Sequence, residues 1–97
     1  MTDQALETQV IARLRTVIDP ETGVDVVRMR LIDDLTVDGD GVARYTFRPS
    51  SPLCPIAVTL ALQIKRTVAA VPGIARQEID VQGYIDAKGL SELLSTI

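Results

Sequence analysis

Asp38-Gly39-Asp40-Gly41 restricts the fold of this chain more than any other stretch, because Asp-Gly pairs readily adopt the positive φ angles of a tight β-hairpin. The residues after it, Val42 to Phe47, alternate Ala43, Tyr45 and Phe47 against Arg44, Thr46 and Arg48, the period of a strand with one buried face. The residues before it, Val24 to Val37, carry Val26, Val27, Met29, Leu31, Ile32, Leu35 and Val37 and read as the partner strand, interrupted at Asp33-Asp34. An antiparallel pair therefore forms the centre of the expected fold.

The rest of the chain supplies what must pack on that pair. Leu6, Val10, Ile11, Leu14, Val17 and Ile18 fall near helical spacing and predict a first helix from Asp3 to Ile18, stopped by Asp19-Pro20-Glu21-Thr22-Gly23. Ile56 to Val71 predicts a second, with Ala57, Leu60, Ala61, Ile64, Val68 and Val71 on one side. Val58 and Leu62 widen that stripe, which suits either a deeply buried helix or one that also meets a partner. Pro72-Gly73 ends this helix, Glu78 to Gln82 alternates as a third strand with Ile79 and Val81 inward, and Asp86 to Thr96 closes the chain as a helix bearing Leu90, Leu93 and Leu94. The expected fold class is α+β, a two-layer α/β domain of order α-β-β-α-β-α. Its small three-stranded mixed sheet carries helices mainly on one face.

A chain of 97 residues has room for a single domain, residues 1–97. Hydrophobic residues make up 46% but aromatic residues only 3%, so the core must be built from Val, Leu, Ile and Ala. The net charge of -3 argues against a nucleic-acid partner, which would need clustered cations. Arg28, Arg30, Arg44 and Arg48 read instead as solvated charges on strand faces. Met1-Thr2-Asp3-Gln4 carries neither a basic segment nor an apolar run, and no stretch approaches the roughly 20 apolar residues of a membrane span. One cysteine cannot build a disulfide framework and fits a reducing compartment, so no membrane contact and a cytoplasmic location are expected.

Chemistry must then be sought in the loops, and two stand out. Asp19-Pro20-Glu21 sets two carboxylates around a rigid proline, although any helix stop with solvated acids would look the same. Ser50-Ser51-Pro52-Leu53-Cys54-Pro55 holds the only cysteine of the chain. Because Cys54 precedes a proline and Pro55 suits the first helical position, Cys54 is expected at the N-cap of the second helix. The helix dipole there would favour the thiolate, the form that attacks electrophiles and binds metals. Cysteine is also a common inert core residue, and composition alone does not separate these roles.

Several reaction classes lack their parts. There is no histidine to serve as base for a cysteine nucleophile, and Asp38-Gly39-Asp40-Gly41 lacks the spacing and following helix of a phosphate loop. A structural zinc site needs typically four nitrogen or sulfur ligands, and one sulfur is present. Thiol-redox chemistry would need a second thiol from a partner. No catalytic residue is expected.

Taken together, the Asp-Pro-Glu loop, the hairpin, the Ser-Ser-Pro-x-Cys-Pro entry to an apolar helix and Val71-Pro72-Gly73-Ile74 before the last strand resemble the SufT and PaaD-like family of iron-sulfur cluster assembly proteins. The resemblance spans roughly Leu6 to Val81. It implies a functional site, a metal site in its sharpest form, at Cys54, Asp19 and Glu21, with Pro20, Ser50, Ser51, Pro52 and Pro55 as the supporting loops. Ser50 and Ser51 stand where the family commonly has threonines, which keeps the hydroxyls. The tail from Gly83 to Ile97 departs from the family's usual continuation, and the carboxyl-terminal cysteines of PaaD are missing.

What the resemblance implies is an accessory factor that carries iron or a transient iron-sulfur cluster, or adapts a client protein, through Cys54. Cluster ligation takes typically four thiolates, so no stable cofactor is expected on one chain. A homodimer would supply a second thiolate, and a scaffold or client metalloenzyme the remainder. The competing reading is a non-catalytic interaction module of a metalloenzyme system in which Cys54 is merely structural.

Overall fold

A computed structural model of the chain describes residues 3–53 and 55–96. Its elements follow the expected order: α1 (Gln4–Leu14), β1 (Ile32–Val37), β2 (Val42–Phe47), α2 (Ala57–Ala69), β3 (Arg76–Val81) and α3 (Ala87–Thr96). The sheet runs β1-β2-β3, with β1 antiparallel and β3 parallel to β2, so it is mixed as expected. Hairpin connectivity dictates the first pairing; the crossover through α2 dictates the second.

Each element has a local cause. Asp3 caps α1 by accepting the Leu6 amide at 3.0 Å, while its own amide donates to the Val37 carbonyl at 2.7 Å and fastens the helix start to the end of β1. The helix ends at Leu14, before the expected Ile18, because both the amide and the hydroxyl of Thr16 turn back to the Arg13 carbonyl, at 3.0 and 2.6 Å. Asp38 organises the hairpin, its Oδ1 accepting the amides of Asp40 at 2.9 Å and Val42 at 3.1 Å.

The core lies between the sheet and its helices. Ala43, Tyr45 and Phe47 of β2 face Leu6, Val10 and Leu14 of α1 and Ala57, Leu60, Ile64 and Val68 of α2 in one buried cluster, which α3 completes with Leu90 and Leu94. Tyr45 and Phe47 are its only aromatic members that are fully buried; the remainder is aliphatic, as the composition requires. Of the expected inward positions, Leu93 and Ile18 are exposed, as is Val58, while Leu62 is only partly buried. On the opposite sheet face Arg44 pairs with Asp38 and Glu78, and Arg48 with Asp33 at 3.7 Å.

The first strand is much shorter than expected. Val24 to Leu31 is not extended: Asp25 accepts the Arg28 amide through Oδ1 at 2.9 Å and the Met29 amide through its carbonyl at 3.1 Å, which curls the chain into a turn. Arg28 and Arg30 are exposed, but on this turn and not on a strand face. The expected interruption at Asp33-Asp34 is a β-bulge, with Asp34 at φ 52°. No helix among the described residues is long and apolar enough to cross a membrane.

Candidate functional site

The topology brings the two sequence-predicted loops to one end of the sheet. Residues 48–56 leave the carboxyl end of β2. The Arg48 amide donates to the Leu31 carbonyl at 2.8 Å, which extends the β1–β2 pairing outward by one step. Two residues upstream of Leu31, the Met29 sulfur accepts the Thr22 hydroxyl at 3.3 Å and ties in the Asp-Pro-Glu loop. The segment after β3 joins from the other side, the Ile85 amide donating to the Pro52 carbonyl at 2.9 Å.

The first loop is a closed unit. Ile18 and Asp25 bridge across its neck, the Asp19 amide donates to the Val24 carbonyl at 2.9 Å, and the Gly23 amide returns to the Asp19 carbonyl at 2.8 Å. Gly23 has φ 70° with open space where a side chain would go, so it serves backbone conformation alone. Asp19 is 2% exposed and its Oδ1 accepts the Glu21 amide at 2.8 Å, while Pro20 and Glu21 are exposed. The two carboxylates thus have different surroundings: Asp19 is spent on the loop itself, and Glu21 faces solvent.

In the second loop Ser51 Oγ accepts the Leu53 amide at 3.2 Å, a hydroxyl satisfying a backbone donor. Ser50, Ser51, Pro52 and Pro55 are exposed, and Leu53 is 70% exposed. Cys54 lies outside the described residues. The expected N-cap at Cys54 is replaced by one at Ile56, which has no side-chain cap hydrogen bond, and α2 starts at Ala57. Pro55 is therefore part of the approach to the helix and not its first residue. Among the described residues no group of three or more Cys, Asp or Glu side chains is gathered to hold a metal ion.

Sequence reasoning placed Arg30 on a strand face and gave Ile85 no place in the fold. Arg30 sits at φ 59°, between the Met29 contact to the first loop and the Leu31 contact to the second. Arginine does not favour that conformation, and only the Asp25 turn signal three residues before Arg28 hinted that the strand stops short. Ile85, 72% exposed, looked like part of an unassigned tail.

A small mixed sheet with helices packed on one face, and two loops at the end where its parallel strands finish, defines a two-layer α+β domain. The family model for iron-sulfur cluster assembly proteins matches residues 7–81, and the chain belongs to that family. It is 32% identical over 79 residues to the Fe-S protein maturation auxiliary factor YitW of Bacillus subtilis, covering 81% of this chain and 78% of that one. With the Fe-S protein maturation auxiliary factor SufT of Staphylococcus aureus it shares 34% identity, over 67% of this chain and 74% of the relative. The crystal structure of a domain of unknown function, DUF59, from Bacillus anthracis superimposes with a TM-score of 0.74 at 35% identity, covering 81% of this chain and 76% of that one.

Proposed function

We propose that this protein is a non-enzymatic accessory factor of iron-sulfur cluster assembly that carries iron or a nascent cluster transiently and passes it to a client. The observation that carries this reading is the convergence of the Asp19–Gly23 loop and the Ser50–Pro55 loop at one end of the sheet, within the segment matched by the family. In this reading Cys54 contributes a thiolate and Glu21, which is exposed, a hard oxygen. Asp19 shapes the loop that presents Glu21, because its carboxylate is buried and already accepts a backbone amide.

The ligand deficit is part of the reading. One thiolate cannot complete a cluster's typical set of four, so the cargo is shared with a second copy of the chain, a scaffold or the client. A site left open in this way releases its metal, whereas a closed site retains it. No resident cofactor and no catalytic residue are needed, and a reducing, cytoplasmic setting keeps the thiol available.

The test is anaerobic reconstitution with ferrous iron and sulfide on the wild type and on Cys54→Ser, read by visible absorption, together with client maturation in cells carrying each form. Visible absorption and maturation that both depend on Cys54 are the expected result. Full client maturation by Cys54→Ser would overturn the ligand role.

A further inference from the structure

We propose that two copies of this chain pair antiparallel through the outer edge of β3, centred on Glu78, and extend the sheet to six continuous strands. The two edges of the sheet are unlike. On β1 the Val37 carbonyl is taken by the Asp3 amide at 2.7 Å, and the bulge with Asp34 at φ 52° breaks the ladder, both of which blunt an edge. β3 has neither a bulge nor a proline. Its Arg76 amide donates to the Gly41 carbonyl at 3.3 Å, and just past its end the Gln82 amide donates to the Phe47 carbonyl at 3.0 Å. Strand alternation therefore turns the backbone of the even-numbered residues to β2 and that of Gln77, Ile79 and Val81 outward. The Val81 amide follows this pattern by donating to the Ser91 hydroxyl at 3.1 Å. Among the described residues nothing takes the amides or carbonyls of Gln77 and Ile79.

The edge is complementary to itself, and this selects a second copy as the occupant. Antiparallel pairing about Glu78 sets Gln77 opposite the partner's Ile79 and Ile79 opposite the partner's Gln77, and each pair exchanges two backbone hydrogen bonds. The same register sets Arg76 opposite the partner's Asp80, and does so twice. Among the described residues Asp80 has no cation, only the Gln82 side-chain amide at 2.8 Å, and Arg76 has only Glu78 at 3.8 Å. The two Glu78 carboxylates meet at the axis, each already held by its own Arg44. A shift of one residue either way is worse. About Gln77 the pairing needs the Ala75 amide, which serves the Gly41 carbonyl at 2.8 Å; about Ile79 it sets Glu78 against the partner's Asp80 and needs the Val81 amide that Ser91 holds. On the helix side, Ile79 is only partly buried and gains cover in the pair. A client strand could use the same backbone groups, but a second copy always carries the matching charges in the matching order.

Antiparallel pairing sends the carboxyl ends of the two β2 strands, and with them the two candidate sites, to opposite ends of the joint sheet, about 20 Å or more apart for strands of six residues. A dimer of this form narrows the source of the cargo's remaining ligands to a scaffold or the client. It is read on the chain alone, without iron or client, so it stands or falls independently of the carrier role. Sedimentation velocity of the full chain from micromolar to millimolar concentration should show a monomer–dimer equilibrium. Asp80→Arg and Arg76→Asp should each raise its dissociation constant roughly tenfold, and the double variant Arg76→Asp/Asp80→Arg, which restores both ion pairs, should recover it. The Gln77 and Ile79 amides should gain protection from hydrogen exchange as concentration rises, while those of Glu78 and Asp80, turned to β2, stay protected throughout. A nitroxide on Cys54, the only cysteine, should report a label-to-label distance above about 20 Å by double electron–electron resonance. A chain that stays monomeric at millimolar concentration, a dimer indifferent to the single charge reversals or not recovered by the double one, exchange at Ile79 that ignores concentration, or a shorter label distance would each overturn the proposal.

Discussion

The amide of Ile85 donates to the carbonyl of Pro52 at 2.9 Å, so the loop that enters α2 is held by the segment that follows β3. That segment is anchored in turn by α3, whose Leu90 and Leu94 are buried and whose Ser91 hydroxyl accepts the Val81 amide at 3.1 Å. The carboxyl-terminal tail is therefore a strap that limits how far the Ser50–Pro55 loop can move. Ile85→Pro removes the donor and is expected to lower stability by about 1 kcal/mol. Hydrogen exchange should accelerate at Leu53 while the β2 amides keep their protection. Unchanged exchange at Leu53 would mean that the loop holds itself.

Gly41 and Gly23 should respond very differently to alanine. Both have positive φ, 82° and 70°, but a side chain on Gly41 would sit 2.3 Å from the Gly73 carbonyl oxygen, whereas one on Gly23 meets nothing within 4 Å. The Gly41 carbonyl also accepts the Ala75 amide at 2.8 Å, so the hairpin turn and the start of β3 cannot separate without losing that bond. Gly23→Ala is expected to lower stability by about 1 kcal/mol, the conformational term alone. Gly41→Ala adds the backbone clash and should lose on the order of 3 kcal/mol or more. Urea denaturation of the two variants measures the difference, and equal losses would contradict the close approach.

How far the sequence discloses the fold depends on where the determinants lie. The hairpin, α2 and the inward set Ala43, Tyr45 and Phe47 are local signals and appear where the pattern places them, whereas Thr46, expected on the wet face, is buried. Val26 and Met29 look like strand residues only while Asp25 is ignored; once its side chain accepts the Arg28 amide, the backbone is committed to a turn. The helix end at Leu14 likewise depends on one hydroxyl, that of Thr16, against several apolar residues that fit a longer helix. In the candidate site, the motif residues Asp19 and Glu21 are visible as a pair, but their division into a buried and an exposed carboxylate follows from the Ile18–Asp25 bridge. Ile85 carries no sequence signal, because its bond to the Pro52 carbonyl joins segments distant in the chain.

Tyr45 makes stability depend on alkaline pH. Its hydroxyl donates to Gln77 Oε1 at 2.7 Å, Gln77 Nε2 donates to the Lys65 carbonyl at 2.8 Å, and burial raises the phenol well above its ordinary value. A raised folded-state value means that this contribution is fully present below the unfolded value, about pH 10, and is lost as pH rises beyond it. Wild-type stability should fall by about 1.4 kcal/mol per pH unit from this group above pH 10. Tyr45→Phe should be less stable by about 1 kcal/mol at pH 7, through the missing hydrogen bond, yet lose less on going to pH 11. Denaturant titrations at both pH values test it, and parallel losses in the two proteins would show that Tyr45 ionises without hindrance.

Substitutions at Asp19 and Glu21 separate a shaping carboxylate from a ligating one. Asp19→Ala leaves the Glu21 amide facing a buried gap without an acceptor and should lower stability by about 1–3 kcal/mol. Asp19→Asn keeps an oxygen in that place, so most of the stability should return, and with it client maturation if the role of Asp19 is to hold the loop. Glu21→Gln changes an exposed side chain and should alter stability by less than about 0.5 kcal/mol. Under the proposed ligand role an amide would not replace the Glu21 carboxylate, so maturation should fall in this variant even though the fold is intact. The pattern to look for is thus inverted between the positions: at Asp19 activity follows stability, and at Glu21 it does not. A well-folded Asp19→Asn protein as inactive as Cys54→Ser would mean that the buried charge itself takes part in handling the cargo, and the division of labour between the two acids would have to be withdrawn.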